Sequence, residues 1–419
     1  MKISLRALVL WLASVLVAAA QSDVELAPDL GTMTSSNLMQ PTNVLSAQAQ
    51  AQRQFQMQLD LARQQRHERS PTQAILTLVN ILETNAPPEF KRKALLELAL
   101  ATQDNGEFVK AQQIYAQFLQ HYADDQSAPE VLLRQGLLFR QMGVNTMAIS
   151  KFYSVMSTTL KLKVENLDYY KNLVLQAQTE IADTYYIQGE FTQAAEFYIK
   201  LLKADSPSLN KKQIEFKLIR SLSFLPEQKD ETISRSQKFL ESFPDYPDVP
   251  EVRFILAHAY TSAGRNSDAL KQVLLLLQSQ EANAHTNPEL WSYWQRRTGN
   301  EIANQLYKEG DYLDALQIYQ NLAALDPAPG WQAPALYQVG LVFEQLQQWQ
   351  RASDTYDEIL ARRAEMTGSN APPSLSSLCD MALWRKNYIA WLQKAHATDV
   401  QFQKSNLQPA SIANTTAAK

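Results

Sequence analysis

Apolar side chains recur one helical turn apart along most of the chain, as at Ile114, Phe118 and Tyr122, which puts a stripe on one helix face. The stripes come in copies. "NGEFVKAQQIYAQFLQHYADD" at residues 105–125 is written again as "QGEFTQAAEFYIKLLKADSP" at 188 and as "EGDYLDALQIYQNLAALDPA" at 309. Each copy has Gly, an aromatic two residues on, Ala at plus five, Tyr at plus nine and an apolar residue at plus twelve.

With the glycine as anchor, the series runs Arg69, Gly106, Gly143, Gly189, Glu227, Gly264, Gly310 and Gln347, at steps of 37, 37, 46, 38, 37, 46 and 37. Five residues after successive anchors stand Ala74, Ala111, Ala148, Ala194, Thr232, Ala269, Ala315 and Ala352. Seven residues before them stand Ala62, Ala99, Gly136, Ala182, Arg220, Ala257, Ala303 and Gly340. A small residue on each of two antiparallel helices lets the backbones approach closely, and the Gly between them accepts the left-handed conformation that ends the first helix. The plus-nine aromatic is expected to fill the gap toward the next pair. One pair cannot bury both its faces, so the pairs must stack. The steps 37, 37, 46 and 38, 37, 46, with "EIADTYYIQGEF" at 180 returning as "EIANQLYKEGDY" at 301, predict a duplicated block of three pairs. The long step then marks a longer first helix before Gly189 and Gly310. The pair around Glu227 is the degraded one.

The edges differ. Residues 1–20, a basic "MKISLR" followed by "ALVLWLASVLVAAA", have the build of a cleavable secretory signal, with cleavage expected after Ala20; a retained N-terminal anchor is the alternative. The mature chain is then expected in the periplasm or secreted, and outside the membrane. Residues 21–45 carry breakers and no period and are expected to be a flexible leader. The Gln-rich stretch from Ser46 is either the first helix of the first pair or the start of a coiled coil. The array is expected over 46–397, closed by a capping helix in "PPSLSSLCDMALWRKNYIAWLQKAH", with a disordered tail at 398–419.

Composition narrows the function. The chain has 39 basic and 43 acidic residues, and loss of Lys2 and Arg6 with the signal leaves a net charge of −6. That is no electrostatic footprint for nucleic acid. His67, His121, His258, His285 and His396 fall on different pairs without a zinc spacing. There is no phosphate-binding glycine loop and no facing carboxylate pair, so no catalytic residue, metal ligand or cofactor is expected. Cys379, the single cysteine, lies in an apolar patch and reads as a buried thiol. All six tryptophans after the signal, Trp291, Trp294, Trp331, Trp349, Trp384 and Trp391, fall in the last third, as core or as part of a binding surface.

The repeating unit resembles the tetratricopeptide repeat over roughly residues 50–365, with "LDP" at 325 and "SFPD" at 242 matching the proline after the second helix. Its 37-residue spacing and linkages such as "FLESFPDYPDVPEVRF" look like the bacterial envelope branch, which includes periplasmic coordinators of the Tol-Pal system and outer-membrane assembly factors. The resemblance implies a right-handed α-solenoid of about eight helix-turn-helix units. In it Gly106, Ala111, Gly143, Ala148, Gly189, Ala194, Gly264, Ala269, Gly310, Ala315 and Ala352 are packing positions. It also implies a concave groove lined ten, six and three residues before each anchor. That carries a binding role to Tyr186, Phe254, His258, Asn300, Asn304, Tyr307 and Tyr337. The groove begins with Leu96, Leu100 and Gln103 and ends with Leu341 and Glu344. The basic-plus-Asn pairing of a carboxylate clamp is missing, so an extended segment or helix suits the groove better than an acidic C-terminus. The function expected is a non-catalytic periplasmic scaffold that binds other envelope proteins. The alternative is a glycan- or solute-binding protein of outer-membrane nutrient capture; an α/α-toroid enzyme is the third class weighed. Oligomeric state is open.

Overall fold

The computed structural model describes residues 41–161, 167–278, 287–368 and 372–406. All regular elements among these residues are helices, so the fold class is all-α, as the periodicity predicts. The signal, His285 and leader residues 21–40 lie outside the described residues.

The chain divides into two units, Met1–Gly189 and Glu190–Lys419. The first holds α1 (Pro41–His67), α2 (Pro71–Glu83), α3 (Pro88–Asp104), α4 (Phe108–His121), α5 (Ala128–Gln141), α6 (Asn145–Thr159) and α7 (Leu167–Ile187). The second begins with α8 (Phe191–Lys203), α9 (Lys211–Leu222), a 3₁₀ turn (Pro226–Gln228), α10 (Lys229–Ser242), α11 (Val249–Ser262) and α12 (Asn266–Gln278). It continues with α13 (Pro288–Glu309), α14 (Tyr312–Leu325), α15 (Pro329–Gln345), α16 (Trp349–Ala361), α17 (Arg363–Met366) and α18 (Pro373–Asn406). Within each unit consecutive helices pack side by side, and first helices also touch first helices: α1 on α3, α5 on α7, α9 on α11 and α11 on α13. Stacking requires both kinds of contact, because a lone pair leaves one apolar face in water.

The turn inside a pair is built on the anchor. Gly106, Gly143, Gly189, Gly264 and Gly310 have positive φ, and so do Arg69 and Gln347, which makes seven of the eight anchors. The next N–H reaches back five residues, from Asp311 to the Leu306 carbonyl and from Gln348 to the Phe343 carbonyl, each at 2.8 Å. This is the Schellman closure of a helix end. A Cβ at Gly310 would meet nothing within 4 Å, so its φ of +86° selects glycine, not the space around it. Gln347 holds the same conformation (φ 57°) with a side chain, which costs an L-residue about 1–2 kcal/mol. Gln347→Gly is expected to stabilise the last pair by about 0.5–1 kcal/mol, since the freer unfolded chain offsets part of the gain. The reading is a raised urea midpoint at constant m-value; a lowered midpoint would contradict the strain.

The Glu227 anchor departs from this rule. Leu225 is extended (φ −112°, ψ 96°), as a residue before proline prefers, and Pro226 opens the 3₁₀ turn in place of a left-handed residue. Arg220 does not take the small-residue place either. It pairs with Glu251 of α11 at 2.8 Å, and Ser221, Thr232 and Ser236 are the small buried side chains of that pair.

Elsewhere the small positions are closed to solvent: Ala111, Ala148, Ala194, Ala269, Ala315 and Ala352 are all fully buried. A Cβ at Gly340 would stand 2.4 Å from the Tyr356 ring, and one at Gly136 2.5 Å from the Phe152 ring. The plus-nine aromatic therefore lies across the small residue of its own pair, a correction to the expectation that it points to the next one. The long steps are long first helices: α7 has 21 residues and α13 has 22, against 17 in α3 and 14 in α5 and α11. Their added turns match. Tyr170 and Trp291, each nineteen residues before an anchor, are buried, as are Leu173 and Trp294 at sixteen. Equal offsets with equal burial are what a duplicated block produces.

Both array boundaries shift outward. α1 starts at Pro41, a residue suited to a first helical position, so residues 41–45 are helical rather than leader. α1 packs on α2 and α3 with Leu59 and Ala62 buried, which makes it the first helix of the first pair. At the other end α18 continues through Thr398 to Asn406. No Gly or Pro interrupts the chain between Pro373 and Pro409, and Gln403 donates to the Asp399 carboxylate at 3.0 Å one turn back.

Candidate binding groove

Groove positions fall on the first helix of each pair, and the structure treats them unequally. In the N-terminal unit Leu96 and Leu100 are half-buried against the core, and Gln103 accepts from the Tyr115 hydroxyl at 3.2 Å. Burial pushes that hydroxyl's pKa up to about 12, so it stays a donor. Leu133 is buried and Arg140 pairs with Glu180 of α7 at 2.5 Å. Tyr186 is half-buried near the end of α7.

The C-terminal unit gathers more chemistry. Phe254 on α11 is half-buried over Phe216, Phe239 and Ile255. Its ring centroid lies 5.2 Å from Trp294 and 6.3 Å from His258, which is exposed one turn along. The Arg297 guanidinium covers this pair, 4.9 Å from the Phe254 ring and 5.3 Å from Trp294, held by Glu301 at 2.9 Å and the Tyr293 hydroxyl at 3.1 Å. Arg297 and Tyr293 were not among the positions expected from the sequence, and Trp294 was expected only as core or as part of a binding surface, not as a groove position. They sit on the added turns of α13, thirteen to seventeen residues before Gly310, so the long step was the signal that could have found them. Burial raises the pKa of Glu251 at the foot of this cluster, against the opposing effect of Arg220.

The remaining positions are partly engaged by the protein itself. Asn300 is half-buried, while Asn304 is exposed and accepts from the Tyr319 hydroxyl at 2.6 Å. Tyr307 is half-buried, edge-on to Tyr312 at 5.4 Å, and its pKa is raised by burial. Tyr337 lies 5.8 Å from the Tyr356 ring. Glu344, nearly closed to solvent, accepts from the Tyr356 hydroxyl at 2.6 Å and from Arg385 of α18 at 3.2 Å. Burial works against the charge on Arg385, but hydrogen bonding to Tyr337 and attraction to Glu344 raise its pKa. The terminal helix thus covers the last groove positions, and Tyr337 contacts α18 where the sequence places it at an open groove.

The tryptophans divide. Trp291 and Trp294 are buried, and Trp331 donates its Nε1–H to the Leu322 carbonyl at 2.7 Å under the Arg296 guanidinium. Trp384 and Trp391 are about 60% exposed. Cys379 is buried, and burial raises its thiol pKa. Among the described residues no group of three or more His, Cys, Asp or Glu could hold a metal ion, and no helix is long and apolar enough to cross a membrane.

A sequence profile of the tetratricopeptide repeat matches residues 334–364, the last pair of the array. No curated protein matches the chain. Among solved structures, the C-terminal part of a TPR repeat-containing protein from Cytophaga hutchinsonii is similar at 14% identity, with a TM-score of 0.47 over 64% of this chain and 96% of that one. A tetratricopeptide repeat protein from Parabacteroides merdae is similar at 13% identity, with a TM-score of 0.39 over 78% of this chain and 98% of that one. The apo form of the quorum sensor NprR from B. thuringiensis is similar at 14% identity, with a TM-score of 0.36 over 71% and 81%.

Proposed function

We propose that the chain is a non-catalytic protein-binding scaffold of the periplasm that holds segments of other envelope proteins on the first-helix face of its repeats. The observation that carries this reading is the cluster on α11 and α13. Phe254 presents partly covered aromatic surface beside the buried Trp294, Arg297 is placed over both rings, and exposed His258 stands beside Phe254. An arginine held over aromatic rings with a polar neighbour is the composition of an interface hot spot, not of a nucleophile with its base. Apolar contact with direction-giving donors suits a peptide segment or helix laid along the groove. The N-terminal build "MKISLR" plus an apolar run to Ala20 supports export, and the 37-residue spacing supports membership of the envelope branch. The glycan alternative draws less support, because the tryptophans proposed to stack on sugars, Trp291, Trp294 and Trp331, are packed within the array.

A C-terminally tagged chain recovered from the cell envelope is expected to start at Gln21 and to carry specific partners. The His258→Ala/Arg297→Ala variant should fold normally, since both side chains are exposed. It should lose partner capture by about tenfold or more, the scale of a hot-spot pair. Full retention of every partner by that variant would refute the groove, and an intact Met1 on a cytoplasmic protein would refute the compartment.

A further inference from the structure

α18 carries two apolar faces, and the array uses one. Leu375, Leu378, Cys379, Ala382 and Ile389 are buried, and the helix packs on α15, α16 and α17. Beyond Ile389 that face turns polar at Gln393 and His396, yet the helix continues to Asn406. The other face runs Trp384, Tyr388, Trp391, Ala395, Thr398 and Phe402, at steps of four, three, four, three and four. All six are exposed, Trp384 and Trp391 at 60% and 61%. Alternating steps of three and four average 3.5 residues, the period that keeps a seam facing a partner helix along a two-helix coil.

The seam is already ordered. The Trp384 and Tyr388 rings stack at 5.4 Å with 3° between planes, and Tyr388 and Trp391 at 6.0 Å with 21°. A fixed aromatic ladder in water loses little rotamer freedom when covered, and a contiguous exposed apolar face of this kind marks an interaction site. Three bulky layers are followed by two small ones: Ala395 and Thr398 come after Trp391 and form a shallow depression with Lys394, Asp399 and Phe402. Small layers beside a tryptophan layer leave room for two indoles at one level.

The charges beside the seam identify the occupant. Lys394 precedes Ala395 on one flank, and Asp399 follows Thr398 on the other, five residues on. In two parallel, in-register copies the flank residue of one helix meets the residue five places on in the other. Lys394 of each copy would then lie beside Asp399 of its mate, twice over. Asp380 and Arg385 repeat the same five-residue relation two heptads earlier, while also pairing within the chain with Arg363 at 3.1 Å and Glu344 at 3.2 Å. The remaining flank residues from Asn387 to Gln401 are Asn387, Leu392 and Gln401, so no like-charged pair arises in this arrangement. A sequence complementary to itself in one register specifies a second copy of itself.

We propose that the chain self-associates through this face, two copies of α18 winding as a parallel coil with Trp384, Tyr388 and Trp391 in the interface and Lys394–Asp399 pairs fixing the register. Sedimentation of the purified full chain across the micromolar range should show a concentration-dependent dimer. Trp384→Ser/Trp391→Ser should raise the dimer dissociation constant by about tenfold or more with unchanged helical circular dichroism. Lys394→Glu alone and Asp399→Lys alone each place like charges together and should weaken the dimer. Mixed in equal amounts they regain both pairs and should form a heterodimer as tight as the wild type. A wild-type chain that stays monomeric overturns the proposal, including when another protein is found on the face. So does a dimer indifferent to the tryptophan changes, and so does a mixture no tighter than its components.

Discussion

Gly340→Leu is expected to destabilise the C-terminal unit by about 3 kcal/mol, the upper part of the range for overpacking a core. Even one added carbon would stand 2.4 Å from the Tyr356 ring. The ring cannot step aside, because it is fully buried and its hydroxyl is tied to Glu344 at 2.6 Å. Gly340→Ala gains about 1 kcal/mol of helix propensity and loses about 1–3 kcal/mol to the clash, so a net loss of about 1 kcal/mol is expected. Gly310→Leu is the control. Nothing lies within 4 Å of its Cβ, and its cost is the left-handed backbone at φ +86°, about 1–2 kcal/mol. Urea melts should therefore rank Gly340→Leu below Gly310→Leu. Equal losses at the two sites would mean that the close approach of α15 and α16 does not limit the packing.

The same two glycines show what could be read from the chain. Gly310 is legible because left-handed backbone excludes other residues on steric grounds. Gly340 is legible because antiparallel backbones at close range exclude side chains. Both causes act locally and leave a residue type at a fixed place, so the anchors, the small positions and the lengths of α7 and α13 follow from spacing alone. Pro226 is where a local rule wins over the repeat: it forces Leu225 into extended backbone and replaces the expected left-handed turn. The groove was less legible. Phe254 and His258 were found by offset, but Trp294 and Arg297 lie on turns that an ordinary repeat does not have. Tyr337 and Glu344 were placed at an open groove, and their engagement depends on where α18 docks, which no offset within the repeat encodes. Trp384 and Trp391 share a composition with the buried tryptophans and differ only in the helix face they occupy.

That docking makes the second large effect specific to one end of the protein. Arg385→Ala removes a cation from Glu344, whose side chain is only 8% exposed. Leaving a buried carboxylate uncompensated costs about 3–5 kcal/mol, because the charge has neither water nor a counterion. The Tyr356 hydroxyl still donates to Glu344 at 2.6 Å, which holds the expected loss to about 3 kcal/mol, at the bottom of that range. The loss should appear as faster amide exchange in α15, α16 and α18, with exchange in α3 to α6 unchanged, because stability in a stacked array is shared between neighbours and not across its length. Glu344→Gln keeps an acceptor for Tyr356 and removes the charge. On that background Arg385→Ala should cost about 1 kcal/mol, the value of an ordinary hydrogen bond. A double-mutant cycle with no coupling, both steps costing the same on either background, would show that the Arg385–Glu344 pair does not hold α18 to the last repeat.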